Sequence, residues 1–148
     1  MSNKDRTQSR VYVPEEVGDL YNLLTAEGSR RETVNPTEVP FFKYKDVFLL
    51  AACIGFHHRR RKPLPKGDKK REIRLDTFNE SDIDILKAIA IIETSDVEIL
   101  NDMREILNIA EEYAYIGIYE LKAQLLVEHG QPLWNLISLL NKKPELTW

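Results

Sequence analysis

The 148-residue chain lacks most of the residues and motifs that mark covalent or cofactor-based chemistry. Its one cysteine, Cys53, cannot form a disulfide within the chain, and its apolar neighbours favour a small buried side chain. No C-x-x-C pair, G-x-G-x-x-G loop, Walker lysine loop or G-x-S-x-G turn occurs. No apolar run approaches the ~20 residues that span a bilayer. The sequence thus argues against disulfide scaffolds, P-loop nucleotide sites, α/β-hydrolases and membrane-spanning helices.

The first ten residues are polar and lack the apolar stretch of a secretory signal peptide. We therefore expect an intracellular, cytoplasmic protein with no membrane segment. We expect residues 1–10 to form a disordered tail. Residues 11–148 are enough for one hydrophobic core, and we expect a single helical domain there.

Apolar spacing predicts a mainly α, compact domain of five or six helices with one basic loop. A hydrophobic content of 43% and a charged content of 30% are typical of a soluble globular protein. The helix predicted over 44–57 is apolar around most of its circumference, so we expect it at the centre of the fold. Its small residues Ala51, Ala52 and Gly55 would let a second helix pack closely. Alternating residues at 72–75 favour either a short strand or an ordered return to the core.

Capping patterns predict where the later helices begin. Asn79, with Asp82 three residues on, predicts the start of a third helix, and the S-x-x-E pattern at 95–98 predicts the start of a fourth. The fourth helix either continues past Gly117 or is split there. Pro132 predicts the start of the last helix.

Positive charge is concentrated in the segment 43–74. It contains 11 Lys and Arg residues against 3 Asp and Glu residues, a charge of +8. The whole chain has 21 basic and 24 acidic residues, so the remainder has 10 and 21, a charge of −11, and the sum is the net charge of −3. Such a polarised surface can hold an anionic partner at one place and repel it elsewhere.

The cations of this segment form two blocks, 59–62 and 66–71, on either side of a stiff Pro-Leu-Pro sequence. Arginine pairs bidentately with phosphate oxygens and lysine adds a point charge, so we predict contacts with a DNA backbone. A plain solvated loop is the alternative. Nothing resembles a base-reading helix, which indicates weak sequence specificity. The predicted phosphate contacts are Arg59, Arg60, Arg61, Lys62, Lys66, Lys69, Lys70 and Arg71.

The histidines and carboxylates form no persuasive catalytic or metal-binding pattern. His57 and His58 are adjacent, so on a helix they point about 100° apart and do not make an i, i+4 metal pair. A nuclease needs several carboxylates that converge on a divalent ion, and no spacing indicates this. We expect solvated faces or contacts between helices instead, with one of Glu111 and Glu112 directed inward. We expect no cofactor. The carboxylates weighed are Glu93, Glu111, Glu112 and Glu120.

Four stretches of the chain carry a family resemblance: RVYVP at 10–14, YKDVFLLAACIGF at 44–56, AIAIIET at 88–94 and EEYAYIGI at 111–118. They resemble a family of small proteins from bacterial DNA phosphorothioation (Dnd) loci. The resemblance implies association with a system that places sulfur in the DNA backbone and uses that mark in restriction of foreign DNA and antiviral defence. It implies no catalytic residues.

The sequence therefore predicts a non-catalytic accessory protein of such a system, which binds double-stranded DNA through a basic loop. The alternative is a protein–protein adaptor that docks a larger enzyme of the same system. A metal-dependent nuclease comes third. The oligomeric state is left open.

Overall fold

Helices dominate the part of the chain that the structure, a computed structural model, describes: residues 9–28, 39–66, 70–126 and 131–141. Within these ranges there are five α-helices and two strands, so the prediction of a mainly α fold is confirmed. Short 3₁₀ helices lie at Leu75–Thr77 and Val97–Asn101. The elements in chain order are β1 (Arg10–Pro14), α1 (Glu15–Leu24), α2 (Tyr44–His57), β2 (Lys70–Arg74), α3 (Glu80–Thr94), α4 (Met103–Leu125) and α5 (Pro132–Leu140).

The start of α3 confirms the predicted capping box. The side chain of Asn79 accepts a hydrogen bond from the amide of Asp82 at 2.8 Å, and the Asp82 carboxylate accepts one from the amide of Asn79 at 3.0 Å. Two backbone donors that a helix N-terminus leaves unpaired are satisfied in this way. The predicted start of the last helix at Pro132 is also confirmed.

The predicted start of the fourth helix at 95–98 is wrong. Ser95 ends α3 in a left-handed conformation, with φ 54°. Asp96 then caps a short 3₁₀ helix, and α4 begins only at Met103, where the Asp102 carboxylate accepts from the amide of Glu105 at 3.1 Å. The S-x-x-E pattern spans this turn and the start of the 3₁₀ helix, whereas a second capping aspartate, Asp102, directly precedes the long helix.

Helix α4 passes Gly117 without a break, which decides between the two alternatives left open by the sequence. Its 23 residues make it the longest of the described helices, and at 1.5 Å per residue it extends about 35 Å. Twelve of its residues are buried, so α4 contributes more residues to the core than any other described helix.

Helices α2 and α4 make the most extensive contact between any two described elements, and they touch through backbone. A Cβ atom added at Gly55 of α2 would overlap the carbonyl oxygen of Tyr113, and one added at Gly117 of α4 would overlap the carbonyl oxygen of Ala51. Ala51 and Ala52 are fully buried at the same crossing. The close packing predicted from the small residues of α2 is therefore present.

The two strands pair antiparallel at one side of this helical core. Arg10 lies opposite Arg74 and Val11 lies opposite Ile73. Of the two alternatives left open for 72–75, the strand is present, as β2, which begins two residues earlier and ends one residue earlier. Its partner begins at Arg10, the last residue assigned to the predicted tail, whose residues 1–8 lie outside the described ranges. Val11 and Val13 are buried, so β1 closes the core against α4.

One continuous hydrophobic cluster connects the described elements and forms a compact domain. Its largest fully buried side chains include one aromatic residue from each of α2, α4 and the segment before α3. These aromatic residues are Phe48, Tyr113 and Phe78. None of the described helices has the length and apolar content needed to cross a membrane.

The crossing predicts that Gly117→Ala destabilises the domain. Helix propensity alone favours alanine by about 0.5–1 kcal/mol, whereas overpacking against the Ala51 carbonyl should cost about 1–3 kcal/mol or more. Chemical denaturation should therefore show a net loss of stability. The exposed position Ala123 of the same helix is the control, since Ala123→Gly should lose at most about 1 kcal/mol. A stabilised Gly117→Ala variant would contradict the close crossing.

Candidate nucleic-acid interface

The first basic block begins with a tight turn that ends α2. The amide of Arg59 donates to the carbonyl of Phe56 at 3.0 Å, and the amide of Arg60 donates to that of Gly55 at 3.1 Å. Arg59 is left-handed, with φ 53°. This pattern is a Schellman motif with arginine at the position that usually holds glycine. We call residues 57–62, all of them exposed, the basic corner.

Aromatic rings lie directly beneath the basic corner. The rings of Phe56 and Tyr113 meet edge to face, with centroids 5.6 Å apart. The Arg59 guanidinium lies 3.8 Å from the centroid of Phe56, a cation–π contact that helps to hold the left-handed turn. On the far side, the Lys62 ammonium is 5.5 Å from the ring centroid of Tyr115, and the Lys62 amide donates to the carbonyl of Glu112 at 3.3 Å.

Arg61 lies between two carboxylates. Its Nη1 is 3.6 Å from Glu93 of α3, and its Nε is 3.8 Å from Glu112 of α4. The Tyr113 hydroxyl donates to Glu93 as well. Burial raises the pKa of Tyr113, and the hydrogen bond and negative charge of Glu93 raise it further, while Arg59 and Arg61 oppose them. The phenol therefore stays protonated and keeps donating at neutral pH.

Two of the predicted phosphate contacts, unlike Arg61, have no carboxylate partner among the described residues and could therefore bind an anion. The side chains of Arg60 and Lys66 are exposed, and neither forms an ion pair with a carboxylate of the described residues. The rings of His57 and His58 are 5.1 Å apart. Within the described ranges, no group of three or more His, Cys, Asp and Glu side chains could hold a metal ion.

Arg71 of the second block has a different environment. Its Nη1 donates to the side-chain oxygen of Asn22 at 3.0 Å, its Nε lies 3.8 Å from Glu15, and its Nη2 lies 3.9 Å from Asp19, all three residues of α1. The Tyr44 hydroxyl, at the first residue of α2, donates to the same Asn22 oxygen at 2.7 Å. Arg71 thus joins β2 to α1 beside the N-terminal end of α2.

The eight predicted contacts therefore do not form one cluster. The basic corner follows the C-terminal end of α2, whereas Arg71 lies near its N-terminal end. The 14 residues of α2 separate those ends by about 21 Å. Lys69 lies outside the described residues, as does the side chain of Lys70, whose backbone begins β2. The described cations that share one surface at the corner are Arg59, Arg60, Arg61 and Lys62.

One charged group was only partly predicted from the sequence. Glu111 is the inward member of the pair Glu111-Glu112, at 5% exposure. Its carboxylate accepts from Arg104 at 2.6 Å and from the amide of Tyr12 at 2.8 Å, and Arg104 also donates to the Arg10 carbonyl at 2.9 Å. This network fixes β1 on α4. The spacing of seven residues between Arg104 and Glu111, two helical turns, was the signal for the pair.

A family model described as DNA sulphur modification system-associated protein 4 matches residues 10–146. The chain belongs to this family. The match covers every described helix and the whole basic corner, and it confirms the resemblance to proteins of the Dnd system. Comparisons with curated proteins and with solved structures gave no match. Membership in the DNA sulphur modification system-associated protein 4 family therefore connects the chain to a DNA modification system.

A pH dependence follows from Tyr115, whose ring lies beneath Lys62. Its hydroxyl donates to Glu16, and this hydrogen bond, with burial, raises the pKa of Tyr115 from 10 to about 12. Between pH 10 and about 12, the folded protein therefore keeps the proton of the Tyr115 hydroxyl, whereas the unfolded chain loses it. The resulting stability is complete below pH 10 and is lost as the pH rises to about 12.

Unfolding in urea at several alkaline pH values tests this assignment. Tyr115→Phe should lower stability at pH 8 and lose less stability than the native chain between pH 10 and 12. All other tyrosines are present in both proteins, so the difference between the two proteins isolates Tyr115. Parallel losses of stability in the two proteins would contradict the hydrogen bond to Glu16.

Proposed function

We propose that this protein is a non-catalytic, DNA-binding accessory of a DNA sulphur modification system, and that it contacts the phosphate backbone through the basic corner. The observation that carries the proposal is Arg60, an exposed guanidinium with no carboxylate partner among the described residues. It projects from a turn that is fixed on both sides, by Arg59 on Phe56 and by Lys62 on Glu112. Family membership supplies the DNA context.

The fixed turn favours binding because its cations are already ordered. An arginine or lysine on a flexible loop loses side-chain entropy when it meets a phosphate. At the basic corner, part of that cost is already met in the free protein through the contacts of Arg59 and Lys62. Beyond the segment 43–74 the chain has a charge of −11, which repels DNA from the other faces. Both features favour one defined orientation on the duplex.

The proposed contacts address phosphates rather than bases. A helix reads base edges when it enters the major groove, usually with its N-terminal residues. Here α2 would approach DNA with its C-terminal end, whose dipole is unfavourable for anions. The affinity must therefore come from the side chains of the corner, and weak sequence preference is expected.

The positions of the carboxylates support a role without catalysis. Glu111 is paired with Arg104, and Glu93 and Glu112 are both paired with Arg61. Each of the three thus has a structural partner within the protein. An accessory that positions or retains DNA for other enzymes of the system needs no reactive group of its own.

A DNA titration tests the proposal directly. The variant Arg59→Gln with Arg60→Gln removes two exposed charges from the corner, so its affinity for duplex DNA should fall similarly for all sequences. The slope of log affinity against log salt should become shallower by about 0.9 for each phosphate that the variant no longer neutralises. Fluorescence anisotropy at several salt concentrations measures both quantities.

The matched control is Lys87→Gln with Lys122→Gln, which removes the same charge from α3 and α4. It should leave the salt slope unchanged, since these lysines lie outside the corner. Equal effects of the two double variants would contradict a specific role for the basic corner. Such a result would show that DNA affinity depends only on the net charge of the protein.

A second candidate function is favoured by the outer face of α5. Trp134, Ile137 and Leu140 recur at intervals of three residues and are 56%, 37% and 67% exposed. The nine residues of α5 include no charged side chain. An uncharged, apolar stripe of this kind is suited to a protein partner and not to DNA. It supports the adaptor alternative, in which the protein docks on another protein of the modification system.

The two candidate functions can be separated with one variant. Trp134→Ser with Ile137→Ser should abolish co-purification with the co-expressed proteins of the modification system if α5 is a docking face. The same variant should keep its affinity for DNA, because α5 meets α4 at its last turn, where Asn135 donates to the Leu125 carbonyl, whereas the basic corner meets α4 at Glu112. If the variant still co-purifies with every partner, α5 is not the docking face.

A further inference from the structure

Arg61 is the one arginine of the basic corner that two carboxylates hold. Its side chain is 39% exposed, while those of Glu93 and Glu112 are 24% and 28% exposed. The separations of 3.6 and 3.8 Å are longer than the 2.7–2.9 Å of a direct charge-assisted hydrogen bond. These are ion pairs at the edge of the solvent without tight hydrogen bonds, so removal of the two negative charges would release Arg61.

The carboxylates are more firmly placed than the arginine between them. Glu93 belongs to α3 and accepts a hydrogen bond from the buried Tyr113 hydroxyl. Glu112 belongs to α4, in the turn that also holds the Lys62 amide. Arg61 instead lies after the end of α2, in a segment without regular secondary structure. If the ion pairs open, Arg61 is therefore the group that moves away.

We propose that Glu93 and Glu112 restrain the DNA contact made by the basic corner, by withholding Arg61 from phosphate. This inference rests on the proposed DNA-binding function and adds to it a limit on the number of phosphate contacts. In the native protein Arg59, Arg60 and Lys62 meet the DNA, while Arg61 stays with the two carboxylates. The same carboxylates repel phosphate that approaches the inner side of the corner. The corner thus binds DNA less tightly than its four cations would allow.

The test compares salt dependence across the native protein and its variants with a short DNA duplex. In Glu93→Gln with Glu112→Gln the negative charges are gone and hydrogen-bonding side chains remain, so Arg61 is free to bind phosphate. Affinity should rise, and the log–log salt slope should steepen by about 0.9. Between about 50 and 200 mM salt, the loss of affinity should therefore be about 3.5-fold larger than for the native protein.

Arg61→Gln identifies the source of that change. Added to the double glutamine variant, it should return the slope to the native value. In the native background alone it should leave the slope unchanged, because Arg61 does not touch DNA there. Glu80→Gln with Asp84→Asn controls for net charge, since it removes two exposed carboxylates from α3 and should not steepen the slope. Thermal melting verifies that each protein is folded.

The outcomes separate this inference from the function on which it rests. If the salt slope of Glu93→Gln with Glu112→Gln equals that of the native protein, the proposed restraint is overturned. It is also overturned if Arg61→Gln in the native background makes the salt slope shallower by about 0.9, since Arg61 would then already bind phosphate in the native protein. Both results still leave a DNA-binding protein. If no folded variant binds the duplex at about 50 mM salt, the proposed DNA-binding function itself is overturned.

Discussion

The close crossing of α2 and α4 is the constraint on which the rest of the structure depends. Gly55 and Gly117 bring the two backbones together, and no side chain can be added at either position without overlap. The same contact places Tyr113 beneath the end of α2, where its ring meets Phe56 and its hydroxyl donates to Glu93. A packing requirement in the core thus fixes the position of the basic corner on the surface.

Charge in this protein is partly used to hold the fold and partly left exposed. Arg71 ties β2 to α1, and Arg104 with Glu111 ties α4 to β1. Arg61 has an intermediate position, paired with two carboxylates yet still open to water. The local excess of +8 counted in the sequence therefore overstates the charge that a partner meets. Among the described cations, those of the basic corner lie together at the C-terminal end of α2.

Local features of the fold could be predicted from the sequence. The bounds of α2, the capping box at Asn79 and the start of α5 at Pro132 depend on neighbouring residues, whose spacing is visible in the chain. The smallness of Gly55 indicated a close helix partner for the same reason. The wrong start of α4 shows the limit of such patterns, since two capping sequences begin seven residues apart, at 95 and 102, and only the second directly precedes the long helix. Contacts between distant residues could not be predicted: Arg10 pairs with Arg74 across the sheet, and no property of either residue indicates the other.

For the candidate site, the sequence showed the concentration of positive charge and did not show which cations share a surface. The two basic blocks are close in sequence, yet ion pairs with α1 hold Arg71 near the N-terminal end of α2. Arg60 follows the C-terminal end of the same helix. Whether a cation is paired depends on which acidic residues of other helices lie next to it, and the topology of the fold determines those neighbours.

The central claim is that DNA meets the protein at the basic corner. Backbone amide spectra of the isotopically labelled protein, recorded by NMR during titration with a short duplex, test it most directly. The account predicts that the largest shifts map to residues 57–62 and to Glu93 and Glu112 behind them, while the amides of α5 and of the β1–β2 sheet stay in place. Shifts concentrated on α5 or on the sheet, or none at all, would contradict it.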